Sequence, residues 1–187
     1  DGIGNIRIEN IRIFTSSVYS INIESADNVT VDGVEILSLN VAIQAWKGSE
    51  NVVVENSDII ITGENNNAVE LLSNSSMTVI DSKITATEYG GAGIHIGSDD
   101  DEPAENINAR LTIAGDTTIS ADAYGIVGNG THHGTYIEIK DNAVVKVTNF
   151  AIYHPQIGEL NISGNAQITG ASGIEMRAGQ LIVSGSP

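Results

Sequence analysis

Short runs of alternating apolar and polar residues fill this chain. In "NIRIENIRI", which begins at Asn5, Ile6 and Ile8 take one side, Ile11 and Ile13 resume it after a break, and Arg7 and Arg12 take the other. "YSINI" adds a third run, with Ile21 and Ile23 on the apolar side and Asn22 opposite. A period of two over four to six residues predicts a strand with one face buried. The pattern then repeats. "NVTVDGVEI" starts at Asn28, "NVVVENSDI" at Asn51, "SMTVIDSKI" at Ser76, "RLTIAGDTTI" at Arg110, "YIEIKDNAVV" at Tyr136 and "ELNISGNAQI" at Glu159, with a stub, "QLIVSGSP", at Gln180. Between them recur "VAIQA", "AVELL", "AGIHI", "YGIVG", "FAIYH" and "SGIEM".

Such self-similarity along the whole sequence is the signature of a solenoid. Each repeat supplies three short strands, and about seven coils account for nearly every residue as one domain, 1–187. The break between the first and second strands falls at Asn10, Gly33, Asn56, Asp81, Gly115, Asp141 or Asn142, and Gly164. These residue types tolerate the left-handed backbone of an abrupt bend. Stacking sets each strand parallel to its copies above and below, and aligns Ile21, Ile43, Val69, Ile94, Ile126, Ile152 and Ile174 as one inward column. The first repeats are 23 residues apart, from Asn5 to Asn28 to Asn51. The fourth and fifth are longer, with extra residues after Ile96 and after Gly128, so both insertions are expected as loops at one corner of adjacent coils. The chain opens one strand into a coil and closes partway into an eighth with no amphipathic cap, which reads as a piece of a longer molecule with flanking domains.

With its three-strand coils, its corner residues and its aliphatic columns, the sequence resembles the right-handed parallel β-helix proteins, the pectate-lyase-like superfamily of secreted and surface bacterial proteins. The resemblance implies an all-β fold, a place outside the cell, and a polysaccharide laid along an exposed sheet beside long loops. The fold hosts lyases, hydrolases, adhesins and binding modules alike, so it does not choose among activities. Family catalysis implies a Lys or Arg base beside calcium, or carboxylates on adjacent strands. Here the outward column of the third strands, Asn22, Gln44, Glu70, His95, Val127, Tyr153 and Glu175, carries no Lys or Arg, and its two carboxylates are not adjacent. The first basic residue near it is Arg177.

Composition narrows the partners. Asp and Glu number 24 against 8 Lys and Arg, a formal charge of -16, so a nucleic acid is repelled and is excluded as partner. There is no Cys, which excludes disulfides and thiolate metal sites. No apolar run approaches the roughly 20 residues of a membrane helix, and membrane insertion is not expected.

Candidate chemistry gathers where the insertions meet the outward column. Glu70 and His95 are neighbours there, the only candidates for acid or base work, and the carboxylate is expected to raise the histidine pKa. A polar pair on a solvated strand face explains them as well. Trp46 and Tyr153 are candidate sugar platforms, since an aromatic face suits the apolar face of a pyranose; each could equally pack on its neighbours. The first insertion carries Asp99, Asp100, Asp101, Glu102 and Glu105, hard oxygen ligands of the kind calcium favours, without EF-hand spacing. A solvated loop is the alternative. His132 and His133 diverge as neighbours and read as surface residues, while His154 alternates inward and is expected to bond a backbone carbonyl. Arg12 beside Glu35 and Asp58 beside Lys83 are expected as charge pairs across strands.

The residues thus point to an extracellular or cell-surface β-helix that binds glycan or another macromolecule through Trp46, Glu70, His95 and Tyr153. It requires no cofactor, and calcium at Asp99, Asp100 and Asp101 is an added expectation. A polysaccharide lyase or hydrolase completed outside this chain, and a ligand-free adhesin stalk, are the alternatives.

Overall fold

A computed structural model describes residues 3–99, 107–128, 133–154 and 156–187. The described residues form strands and turns, without a helix, arranged as a solenoid of about seven turns with three strands to a coil. Three parallel sheets result. The first has eight strands, from Ile3–Glu9 to Gln180–Val183; the second has seven, from Arg12–Thr15 to Gln167–Thr169. The third, also of seven, runs through Tyr19–Glu24, Val41–Trp46, Asn67–Leu71, Ala92–Ile96, Tyr124–Gly128, Phe150–His154 and Gly173–Met176.

The bend between first and second strands has the backbone that its residues suit. Asn10, Asn56, Asp81 and Asp141 have φ of 54°, 50°, 48° and 61°, and Gly33, Gly115 and Gly164 take 59°, 64° and 69° at the same corner. A β-branched residue there would meet the steric cost of the left-handed region. Asp141 rather than Asn142 is the corner residue in the sixth coil. Inside, the column expected from alternation forms: Ile43, Val69, Ile94, Ile126 and Ile152 are fully buried, in register from one coil to the next. Ile21 and Ile174, on the outermost coils, are less fully covered. Ile11 is 43% exposed, although Val34, the residue at its place in the next coil, is buried. Ile11 belongs to the first coil, which has a neighbouring coil on one side alone, and it is not among the apolar residues packed on the core.

Alternation did not reveal a second set of inward columns, which is polar. Ser57 Oγ accepts the Val34 N–H at 3.1 Å, Ser82 Oγ accepts the Ser57 N–H at 3.1 Å, and Thr117 Oγ1 accepts the Ser82 N–H at 3.4 Å. The strand ladder has no partner for these corner amides, so buried hydroxyls supply one. Ser49 and Ser75 do the same at the corner that leads from the third sheet back to the first.

Of the expected charge pairs, Arg12–Glu35 forms at 2.7 Å. Lys83 stands in register with Asp58, yet no ion pair joins them, and Asp58 Oδ1 is covered without a hydrogen-bond partner. Register brings the backbones together, but it does not extend the long Lys83 side chain toward its neighbour.

Inward and outward positions of the second sheet should therefore differ sharply in cost. Ile59→Ala should destabilise the protein by about 2–5 kcal/mol, as buried aliphatic truncations do. Leu37→Ala, on the outer face of the adjacent coil, should stay within about 0.5 kcal/mol. Urea unfolding of the two variants checks the difference.

Candidate functional site

On the third sheet the outward residues come into register as expected, with Asn22 beside Gln44, Gln44 beside Glu70, Glu70 beside His95, His95 beside Val127, and Val127 beside Tyr153. At one end of this column the surface sinks into a hollow of about 400 Å³, a volume suited to a small ligand. Gln44, Glu70 and His95 form its floor, and Trp46 and Leu72 flank them. Tyr19 from the first coil and Ser98 with Asp99 from the corner after Ile96 complete the rim. Four successive coils contribute.

Hydrogen bonds hold the floor rigid. Gln44 Nε2 donates to Glu70 Oε2 at 2.8 Å, and Asn67 Nδ2 donates to Glu70 Oε1 at 3.0 Å. Gln44 faces outward yet is only 4% exposed, because its neighbours cover it. A carboxylate with two oxygens can accept more bonds than these two, so Glu70 keeps acceptor capacity. His95 lies over Gly97: a Cβ on that glycine would come within 2.7 Å of His95 Cε1 and displace the ring. The expected rise of the His95 pKa is reversed. Burial pushes it below 6.5, and the Glu70 charge, which raises it, does not compensate. The imidazole is therefore neutral near pH 7, and its Nδ1 is covered without a hydrogen-bond partner. Trp46 is half-buried, with the Lys47 ammonium 4.1 Å from its ring centre and its Nε1 also unpartnered. Covered polar atoms without protein partners are uncommon, and two of them belong to residues that line this hollow.

Asp99 does a structural task here. It is 3% exposed, its Oδ2 accepts the Lys47 N–H at 3.1 Å, and its own N–H donates to Ser73 Oγ at 3.1 Å. It thereby ties the corner after Ile96 to the turn at Lys47, two coils away in the stack. Asp100, Asp101, Glu102, Glu105 and His132 lie outside the described residues. The corner itself is as expected: Ile96 is in register with Gly128, and the Ile107 N–H donates to the carbonyl of exposed His133 at 2.9 Å, so both insertions leave and rejoin side by side.

Tyr153 does not reach the hollow. It joins Tyr124 and Phe150, with its ring centre 6.1 Å from each, and Arg177 stacks on it at 5.2 Å while pairing with Glu175. Two strand spacings, about 10 Å, separate it from His95. His154 is inward and fully buried, as its phase required, and the backbone at His154, Gln156 and Ala178 bears on its ring, although neither nitrogen reaches full hydrogen-bond geometry. Burial lowers its pKa, and the backbone at His154, Gln156 and Ala178 raises it only in part. Beside it buried Gln156 accepts from Thr135 Oγ1 at 2.9 Å and donates to the Ile96 carbonyl at 3.1 Å.

Alternation missed Tyr19, Leu72 and Ser98. Tyr19 opens the run "YSINI", where alternation sets it on the inward side with Ile21, yet it is 37% exposed at the rim; Leu72 closes "AVELL" in phase with Glu70, and Ser98 follows its run. That Leu72 and Ser98 stand two and three residues after column members Glu70 and His95 is a signal a search of strand ends could have used. No protein family, curated protein or solved structure matches this chain.

Chemically the hollow offers aromatic edges, an amide, a neutral imidazole and carboxylates on a rigid floor. The two depressed histidines also set a pH response. Below pH 6.5 the unfolded chain takes up protons that His95 and His154 refuse when folded, so stability should be level above 6.5 and fall as the pH drops below it. Thermal melting between pH 7.5 and 5 checks this, and the fall should shrink when both histidines are replaced by Gln.

Proposed function

We propose that this β-solenoid is a glycan-binding module of the bacterial cell exterior and that the hollow on its third sheet is the binding site. The observation that carries the reading is the convergence of Trp46, Tyr19, Gln44, Glu70 and His95 from four coils in one cavity with a fixed floor. Sugars are bound by such a mixture: aromatic groups meet the apolar ring faces, and amide, carboxylate and imidazole groups meet the hydroxyls. The Lys47 ammonium occupies a face of Trp46, so the indole presents its remaining surface to the ligand. A longer chain follows the outward column past Val127 to Tyr153. The family resemblance supports both the ligand class and the location.

Binding is favoured over catalysis by the state of the side chains. Glycoside hydrolysis needs two carboxyl groups set across the scissile bond. Here the partners of Glu70 along the column are Gln44 and His95, and Asp99 is engaged by the Lys47 N–H.

Calorimetric titration with oligosaccharides of increasing length tests the site. Trp46→Ala should weaken short and long oligomers about tenfold or more, the effect of losing a central aromatic contact. Tyr153→Ala should weaken only oligomers long enough to span about two further strand spacings. Equal affinity in the wild type and the Trp46 variant, or no binding in any, contradicts the proposal.

A further inference from the structure

The proposed site carries a charge that selects among glycans. We propose that the hollow is built for glycans with free amino groups, polymers of hexosamine, and rejects acidic polysaccharides. The inference rests on the glycan-binding reading and adds the ligand's charge to it.

Glu70 brings a carboxylate to the hollow, and none of the described residues that line it is a lysine or arginine. The Lys47 ammonium is committed to Glu24, 3.0 Å away, and to the Trp46 face. His95, which could have supplied a positive charge beside Glu70, is kept neutral by its burial. Both Glu70 oxygens accept amide hydrogens, which orient the carboxylate without neutralising it. An ammonium on the ligand would therefore find an oriented anion with free acceptor capacity, the arrangement that makes charge-assisted hydrogen bonds strong. A uronate would bring a further negative charge beside Glu70, against a chain with a formal charge of -16.

A basic peptide carries the same charge, but the floor offers it no strand edge. The strands that carry Gln44, Glu70 and His95 are paired on both sides, and the free edge near the hollow belongs to Tyr19–Glu24 at its rim. What remains exposed is side chains, with Trp46 and Tyr19 at the rim, and these suit a ring rather than an extended backbone.

The test is titration of the intact chain with four probes of similar length: a glucosamine oligomer, its N-acetylated form, an oligogalacturonate and oligolysine. The glucosamine oligomer should bind, and more weakly as salt is added. Glu70→Gln should cost it about tenfold, the worth of a hydrogen bond to a charged group, and should leave the N-acetylated form little changed. The melting temperature of that variant checks that it is folded, and the salt response of the wild type stands as an independent measure. Equal binding of the glucosamine and N-acetylated oligomers, or binding of the uronate as tight as either, overturns the charge inference while leaving the glycan site in place. Oligolysine bound as tightly as glucosamine overturns it in favour of a peptide partner. No binding of any probe overturns the glycan reading and this inference with it.

Discussion

The constraint on which the molecule depends is the stacking of like aliphatic side chains through its axis. Ile43, Val69, Ile94, Ile126 and Ile152 are fully buried on one another, and their positions fix the register of the third sheet. In a structure of period two, a slip of one residue turns every side chain to the opposite face. The inward column therefore decides the outward one. Gln44, Glu70 and His95 are adjacent because the isoleucines and valine that precede them in their strands are adjacent. The polar site is a by-product of apolar packing, and it needs no other device to bring together residues as distant in sequence as Gln44 and His95.

Corners are where such a fold must spend polar groups. Strand amides are satisfied by the coils above and below, but amides in the bends are not, and the buried columns of Ser49 with Ser75 and of Ser57, Ser82 and Thr117 meet that need. Where the two insertions interrupt the pattern, Gln156, Thr135 and Asp99 take over. Gln156 reaches past Gly128 to the Ile96 carbonyl, and Asp99 captures the Lys47 N–H. The hollow opens beside the first of these irregularities. In a regular solenoid face, concavity arises where a loop builds a wall, and the Ser98–Asp99 corner is that wall.

The architecture was legible in the sequence because it is repeated. Strand phases, corner residues and the aliphatic column all follow from a pattern that seven coils state in turn, and each copy corrects the reading of the others. The candidate site was legible in part. Trp46, Glu70 and His95 were placed together by alternation, and they line one cavity. Tyr153 shares their column but stands two coils beyond the hollow, since a column says nothing of where the surface is concave. Electrostatics was less accessible still. Sequence adjacency in the stack put Glu70 beside His95 correctly, but the pKa of the ring depends on how far burial removes it from water, which only the folded chain shows. The same limit applies to Asp58 and Lys83, which are in register without an ion pair. Tyr19 shares the phase of Ile21 in its run, and only the folded chain shows it turned out at the rim.

Everything said of the site rests on the coils being stacked in this register, and a distance along the stack tests that most directly. The chain has no cysteine, so paired spin labels can be attached through Asn22→Cys and Glu175→Cys without background. The outward column places these positions six strand spacings apart, about 29 Å, and pulsed electron resonance should return one narrow distribution near that value. A broad distribution, or a centre displaced by more than about one spacing, would contradict the stacked register and with it the site built upon it.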